Sequence, residues 1–384
     1  MRKAAIEALS DLADSDDRLV LLTGDLGFMV IEPFADRHPG RFINVGVAEA
    51  NMVGIATGLA LEGMRPYCYS IATFAVLRPY EQLRNGAHGH DLQVRIIGVG
   101  GGFGYGPAGY SHHALEDIAV LRALPRMRIV VPSDDRDTGA AIRQLHAAPG
   151  PTYFRLAKDS RVLRELSGEY QPAVLQTVGE GSVLLIAVGT IADQALAAQA
   201  WLGKRGVEIR VAIATTIAPF PVDHLLHLLD ASSLVVTLED HVLAGGLGSL
   251  VAEIMADHGS LRRLHRVGVR DTAYTALGSE HYMRTRAGLD GVSVGEWIES
   301  LDAVRLIKLL RTRVAALQEA EVPTWCGPWE CLQDAGAQRR GRLTATPSER
   351  QRARRQMRID ACSERRLESS KHGRRPRRRY CGVQ

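Results

Sequence analysis

Long apolar runs are missing from the 384-residue sequence. No stretch approaches the roughly 20 consecutive apolar residues that a helix needs to cross a bilayer. The first residues, MRKAAIEALSDLADSDD, form an amphipathic pattern broken by acids, without the uninterrupted apolar region of a secretory signal. The sequence therefore predicts a cytoplasmic protein with no membrane partner.

Cysteine is nearly absent from most of the chain. Of the five cysteines, only Cys68 precedes position 326. The other four are Cys326, Cys331, Cys362 and Cys381. Their spacings, without histidine at ligand intervals, match no familiar zinc pattern. We therefore predict no structural metal, and we assign no metal ligand in this chain.

The first 330 residues lack a net positive charge. Their formal net charge is −7, whereas that of the whole sequence is +4. Residues 331–384 contain 15 Arg and one Lys against five acidic residues. The few aliphatic residues of the segment 319–384 cannot bury enough apolar surface to offset the chain entropy that folding would cost. We therefore predict that this segment is a disordered basic tail. Such a tail can bind nucleic acid through phosphates, but it lacks interleaved aromatic residues. We do not favour a nucleic-acid function, and a shifted reading frame in GC-rich coding sequence is another origin for the tail.

Short β-rich runs do alternate with helix-length segments. In the first half these runs are RLVLLTGD, RPYCYS, QVRIIGVG, RIVVPSD and TYFRL, and in the second half SVLLIAVG, EIRVAIATT and SLVVTLED. Strands separated by helices indicate parallel sheets covered on both faces. We predict an α/β fold with two doubly wound domains, residues 1–160 and 182–313, joined by a linker at 161–181.

One carboxylate, Glu49, stands at the start of an otherwise apolar, small-residue helix, NVGVAEANMVGIATGLALEG, at residues 44–63. Burial favours the neutral form of a lone carboxylic acid, which prepares a proton donor. Glu49 could instead simply complement the positive end of the helix dipole. The segment alone leaves both interpretations open.

Two segments together resemble the transketolase family. The helix of Glu49 is similar to the cofactor-activating helix of thiamine diphosphate enzymes, in which a Glu contacts the aminopyrimidine ring. The segment ATFAVLRPYEQLRN is similar to the family's Thr-Phe segment, in which Phe74 and Tyr80 match aromatic residues around that ring and Leu77 replaces a third. The resemblance implies that Glu49, Phe74, Tyr80 and Asp25 bind thiamine diphosphate.

A third segment, GYGPAGYSHHALEDIAVLRALPRMRIVVPSD, resembles the family's glycine-rich loop. His112 falls on the motif histidine, which in relatives lines the substrate channel and helps to move protons, and a near-neutral pKa suits that work. The adjacent His113 is an alternative assignment. Ala108 and Gly100 stand where relatives often carry polar residues that read the sugar, so the acceptor stays open.

The fourth segment, TYFRLAKDS, places Arg155 and Lys158 near positions where relatives direct basic residues toward a substrate phosphate. Both could equally be surface residues that close the domain. The later stretch VVTLEDHVLAGGLGSLVAEI is also similar to the family. There the resemblance implies a turn before a helix, shaped by Glu239, Gly245, Gly246 and Gly248.

The family's diphosphate motif is absent. Relatives bind the diphosphate through magnesium on a Gly-Asp-Gly segment followed later by Asn, and Gly24-Asp25-Leu26 is not that pattern. The resemblance therefore implies the C-terminal subunit of a split thiamine diphosphate-dependent transketolase, a transferase of carbohydrate metabolism that moves a two-carbon ketol unit between sugar-like substrates. Glu49 and His112 would be catalytic. An N-terminal-half subunit would supply the magnesium and diphosphate ligands in a two-plus-two heterotetramer, and the lone chain is expected to be inactive.

Two alternatives share this plan. The beta subunit of a 2-oxo-acid dehydrogenase decarboxylase component has the same two domains and the activating Glu, although His112 favours transketolase. A noncatalytic assembly subunit with a degenerate pocket is the other alternative.

Overall fold

The computed structural model describes residues 1–270, 276–302 and 304. The predicted basic tail, the predicted end of the second domain at 313 and the cysteines from Cys326 onward lie outside the described residues. Within the described part, every helix is too short or too polar to span a bilayer.

Strands and helices alternate along the described chain. The strands are β1 (Leu19–Thr23), β2 (Phe42–Asn44), β3 (Arg65–Ile71), β4 (Arg95–Val99), β5 (Arg128–Val130), β6 (Thr152–Leu156), β7 (Gln176–Val178), β8 (Val183–Val188), β9 (Arg210–Ala214), β10 (Thr216–Ala218), β11 (Leu234–Val242) and β12 (Arg263–Val269). The helices are α1 (Arg2–Ser15), α2 (Glu32–Arg37), α3 (Glu49–Leu61), α4 (Ala72–Val76), α5 (Tyr80–Gln82), α6 (Asp117–Arg122), α7 (Asp135–Leu145), α8 (Ala192–Gly203), α9 (Val222–Asp230), α10 (Leu247–Asp257), α11 (Glu280–Arg286) and α12 (Gly291–Ser300).

The strands form two mainly parallel sheets. The first has seven strands in the order β10-β5-β6-β4-β3-β1-β2, and the second has five in the order β12-β11-β8-β9-β7. All neighbouring pairs are parallel except β10 with β5 and β7 with β9. The predicted α/β fold with two mainly parallel sheets is confirmed.

Both faces of the first sheet are covered. Along β1, Leu19 and Leu21 belong to one buried apolar cluster, together with residues of α1 and α7. Val20 and Leu22 belong to the other cluster, which contains residues of α3 and continues into the second sheet. Successive side chains of a strand point to opposite faces, so the side chains of β1 alternate between the two clusters. Because both faces are buried, residues 19–22 are all apolar.

One strand differs from the sequence interpretation. EIRVAIATT is predicted as a single strand, but it divides into β9, in the second sheet, and β10, which pairs with β5 of the first sheet. Thr215 lies between them, and its carbonyl accepts a hydrogen bond from the Val131 backbone N–H at 2.8 Å. The chain thus passes directly from one sheet to the other. The segment predicted as a linker, 161–181, contains β7.

A buried group of charged and polar side chains joins the two sheets. We call it the Arg155 cluster; its members are Asp117, Arg155, Thr190, Asp240 and Arg284. The Arg155 guanidinium on β6 donates to Asp117 Oδ2 at 2.9 Å and to Asp240 Oδ1, on β11, at 2.7 Å. It also donates to Thr190 Oγ1 at 2.6 Å. These bonds tie elements of both sheets together.

Glu239 anchors the turn before α10. Its carboxylate accepts hydrogen bonds from the backbone N–H groups of Leu247 at 2.7 Å and Gly248 at 2.9 Å. A Cβ on Gly246 would overlap the same carboxylate, and one on Gly248 would lie 2.9 Å from Glu239 Oε1. The glycines are therefore required by the close approach of Glu239 to the start of the helix.

Candidate functional site

The candidate site lies where the parallel strands β1 and β3 of the first sheet end. Such carboxyl-end edges are the usual ligand-binding positions of open parallel sheets. Glu49 begins α3 beside this edge and is 2% exposed. Its Oε1 accepts a hydrogen bond from Ser70, on β3, at 3.2 Å. A Cβ on Gly24, just after β1, would lie only 3.3 Å from the same oxygen, so glycine keeps space beside the carboxylate.

Arg78 is the second partner of Glu49. Its Nη1 donates to Glu49 Oε2 at 2.8 Å, and its guanidinium carbon lies 3.7 Å from the centroid of the Phe74 ring. The expectation that Glu49 is a lone carboxylate is therefore wrong, because Ser70 and Arg78 both bind it. The family motifs did not single out Arg78, although its spacing of four from Phe74 places the two side chains on one face of a helical segment.

His112 also contacts Phe74. The two ring centroids are 4.9 Å apart in an edge-to-face arrangement. His112 Nδ1 is 2.9 Å from Ser111 Oγ. Burial lowers the pKa of His112, and the positive charge of Arg78 lowers it further. The imidazole is therefore neutral at neutral pH and able to accept a proton.

His113 does not face this site. It is buried, its Nε2 is 3.1 Å from the Gly106 carbonyl, and its ring contacts the Phe103 ring edge-to-face at 5.3 Å. The structure therefore brings His112, and not His113, against Phe74, whose ring also contacts the Arg78 that binds Glu49. We call these side chains the Glu49 cluster; its members are Glu49, Ser70, Phe74, Arg78 and His112.

Tyr105 extends the site beyond His112. Its ring centroid is 6.3 Å from that of His112, and the Lys158 ammonium lies 5.2 Å from the Tyr105 centroid. A Cβ on Gly100 would overlap the Tyr105 ring, and Gly100 has a positive φ of 78°. Glycine at position 100 thus makes room for an aromatic ring. Tyr105 could not be identified from the sequence, since no local pattern shows which ring fills that space.

Arg155 is not part of the site, which corrects the prediction that it binds substrate. The side chain is 0% exposed, and all its nitrogens bind within or beside the Arg155 cluster. Burial alone would lower the pKa of the guanidinium, but the carboxylates of Asp117 and Asp240 outweigh it, and the pKa of Arg155 is raised. A substrate phosphate has no access to this cation.

Comparison with known proteins identifies the family. The transketolase pyrimidine-binding domain matches residues 1–161, and the transketolase C-terminal domain matches residues 173–292. A putative transketolase C-terminal section from Methanocaldococcus jannaschii is 35% identical, and the match covers 78% of this chain and 95% of the relative. The chain belongs to the transketolase family.

Two further similarities concern transketolases made of separate subunits. One subunit of the apulose-4-phosphate transketolase from Actinobacillus succinogenes is 32% identical, over 71% of this chain and 88% of that relative. A solved structure described as a split gene transketolase, inactive beta4 tetramer, is 30% identical with a TM-score of 0.71, covering 79% of this chain and 98% of that one. The predicted resemblance to the C-terminal half of transketolase is confirmed.

Two other positions predicted to bind cofactor, Asp25 and Tyr80, differ in their surroundings. Asp25 is exposed with a φ of 57°, and its Oδ1 accepts a hydrogen bond from Asn44 Nδ2 at 2.9 Å. Tyr80 is half-buried, and its hydroxyl donates to the Val120 carbonyl at 2.8 Å. Asp25 thus directly follows the glycine that borders Glu49, whereas the hydroxyl of Tyr80 is committed to α6.

The last feature of the site is the arrangement of side chains that could bind a metal ion. In the part of the chain that the structure describes, no group of three or more His, Cys, Asp or Glu side chains is arranged to hold a metal ion.

Proposed function

We propose that this chain is the C-terminal subunit of a split, thiamine diphosphate-dependent transketolase that transfers a two-carbon ketol unit between sugar-like substrates. The observation that carries the proposal is the buried carboxylate of Glu49 at the edge where β1 and β3 end. Arg78 links this carboxylate to the Phe74 ring, which contacts His112. The relatives described as a transketolase section and a transketolase subunit support the same activity.

The residues of the Glu49 cluster fit an aminopyrimidine. A buried carboxylate provides a hydrogen-bonding partner for a ring nitrogen, and the face of Phe74 provides a stacking surface for a planar ring. Gly24 leaves room beside the carboxylate that a Cβ would narrow. When bound, thiamine diphosphate supplies the carbanion chemistry by which the carbon–carbon bond is broken and formed.

Each residue then has a defined task. Glu49 would hold the ring nitrogen of the cofactor through a shared proton, and Phe74 would orient the ring by stacking. His112, neutral because its pKa is lowered, accepts and returns a proton at a substrate hydroxyl. Lys158, beside Tyr105, attracts a substrate phosphate as a point charge.

We propose that a partner subunit completes this site. It would be an N-terminal-half subunit that binds magnesium and the diphosphate, in a two-plus-two heterotetramer in the cytoplasm. The apulose-4-phosphate transketolase relative, which is one subunit of its enzyme, and the solved split-gene tetramer described as inactive both support a division of the site between two chains. Residues 1–160 and 182–313 would be the pyrimidine-binding and C-terminal domains.

The test is reconstitution with the diphosphate-binding subunit. Ketol transfer should require both chains, and Glu49→Gln should lower the rate by about 10²- to 10⁴-fold, as expected when a positioned acid is lost. Glu62→Gln is the matched control, since Glu62 is exposed at the end of the same helix. Full activity of the lone chain, or an unaffected Glu49→Gln variant, would overturn the proposal. Turnover of 2-oxo acids in place of ketoses would favour the dehydrogenase alternative.

A further inference from the structure

Arg78 contacts the two groups that the proposed function assigns to aminopyrimidine recognition. Its guanidinium donates to Glu49 Oε2 at 2.8 Å and lies over the face of Phe74, with its central carbon 3.7 Å from the ring centroid. One planar, nitrogen-bearing cation therefore uses both the carboxylate and the aromatic ring.

The cost of burying Glu49 explains why such a partner is present. A carboxylate that is 2% exposed, with the Ser70 hydroxyl as its neutral partner, would carry a large desolvation penalty without a counter-charge. Arg78 supplies the compensating charge.

The Arg78 side chain can also move away from Glu49. Its side chain is 44% exposed, in contrast to the carboxylate it binds, so rotation carries the guanidinium into water without opening a buried cavity. Because the exposed guanidinium regains its hydration in water, its replacement at Glu49 by another nitrogen-bearing partner costs less than the release of a fully buried cation. The geometry is that of a replaceable contact.

We infer that Arg78 is a positioning residue that holds Glu49 in the cofactor-free subunit and is displaced by the aminopyrimidine of thiamine diphosphate. This inference rests on the proposed function. While Arg78 is in place, the binding-competent state of the site is only a fraction of the population, and the apparent affinity for cofactor is reduced by that fraction.

The experiment measures the affinity for thiamine diphosphate and the unfolding temperature of the lone chain. Replacing a purely structural arginine would not raise the first while it lowers the second. Arg78→Met should tighten thiamine diphosphate binding by the reconstituted pair about three- to tenfold, measured by isothermal titration calorimetry with magnesium present. The same variant, as a lone chain without cofactor, should unfold at a lower temperature than the wild type, because Glu49 loses its counter-charge. Arg84→Met is the matched control and should change neither value, since Arg84 is exposed and donates to its neighbour Asn85.

A second pair of variants separates the possible outcomes. Arg78→Lys keeps the charge but cannot lie flat on Phe74, so it should give an intermediate affinity, and it carries the test if Arg78→Met does not fold. In a Glu49→Gln background the gain from Arg78→Met should disappear, because the amide no longer attracts Arg78.

The results also distinguish this inference from the proposed function. Wild-type binding of thiamine diphosphate that Arg78→Met leaves unchanged or weakens would overturn the role of Arg78 alone. Absence of binding by both wild type and Arg78→Met, with the partner present, would overturn the proposed function and the inference with it.

Discussion

Arg155 and Arg78 each bind a buried carboxylate, yet their surroundings differ. Arg155 is 0% exposed and reaches Asp117 and Asp240 from the middle of the protein. Arg78 is 44% exposed and reaches Glu49 from the edge of a sheet. The two contacts thus differ in the exposure of the arginine and not in that of its acidic partner.

The difference follows from where each arginine lies in the fold. Arg155 is on β6, inside the first sheet, and its partners come from α6 and from β11 of the second sheet. Arg78 follows α4, outside the strands, where one side of the guanidinium meets solvent. Four predictions test this comparison, in order of expected effect.

Removing Arg155 should destabilise the chain most. Arg155→Met removes the ion pair of buried Asp117 and leaves Arg284 as the cation beside Asp240. Breaking such a buried pair costs about 3–5 kcal/mol. The free energy of unfolding from urea denaturation measures the loss. Arg143→Met is the control, since Arg143 forms an exposed ion pair with Asp11 at 2.9 Å and its loss should cost less than about 1 kcal/mol. Equal effects of the two substitutions would contradict the comparison.

The effect of Arg155→Met should depend on pH. Burial alone would raise the pKa of Asp240, but Arg155 and Arg284 outweigh it and hold that pKa below its ordinary value. The stabilisation is therefore fully present above the unfolded aspartate pKa of about 3.9 and is lost as the pH falls through the lower folded value. In Arg155→Met the pKa of Asp240 should lie above its wild-type value, because Arg284 alone opposes the effect of burial. The difference in unfolding free energy between wild type and variant should therefore narrow as the pH falls through the pKa of Asp240 in the variant, and a difference that stays constant across the acid range would argue against this origin.

Removing Arg78 should have a smaller effect on stability. Arg78→Met should lower the free energy of unfolding of the lone chain by about 1–2 kcal/mol, since the remaining carboxylate keeps the Ser70 hydrogen bond. Urea denaturation beside Arg155→Met provides the measurement. A loss as large as that of Arg155→Met would mean that Arg78 is a fixed structural contact.

The smallest expected effect is on the titration of His112. Burial first, and then Arg78, lowers the pKa of this histidine, so its NMR titration midpoint should lie below the ordinary value of about 6.5. Arg78→Met should move the midpoint upward, because a nearby positive charge no longer opposes protonation. A midpoint that stays in place would show that Arg78 does not act on His112.

Local patterns predict the elements with strong apolar runs. The sequence runs RLVLLTGD and SVLLIAVG correspond to β1 and β8, and the helix of Glu49 corresponds to α3. The strands β2, β7 and β12 are not predicted from the sequence. β2 and β7 have three residues each, and β12, RLHRVGV, is interrupted by Arg and His, so neither length nor periodicity distinguishes them from loops.

The sequence by itself determined the alternation of strands and helices, the family resemblance and the residue types of the site, because these depend on local periodicity and on motifs in fixed order. Only the tertiary structure decided that Arg155 is sealed between two sheets, that β10 joins the first sheet and that Arg78 binds Glu49. Those outcomes depend on which side chains long-range packing brings together and on how much water it leaves around each charge.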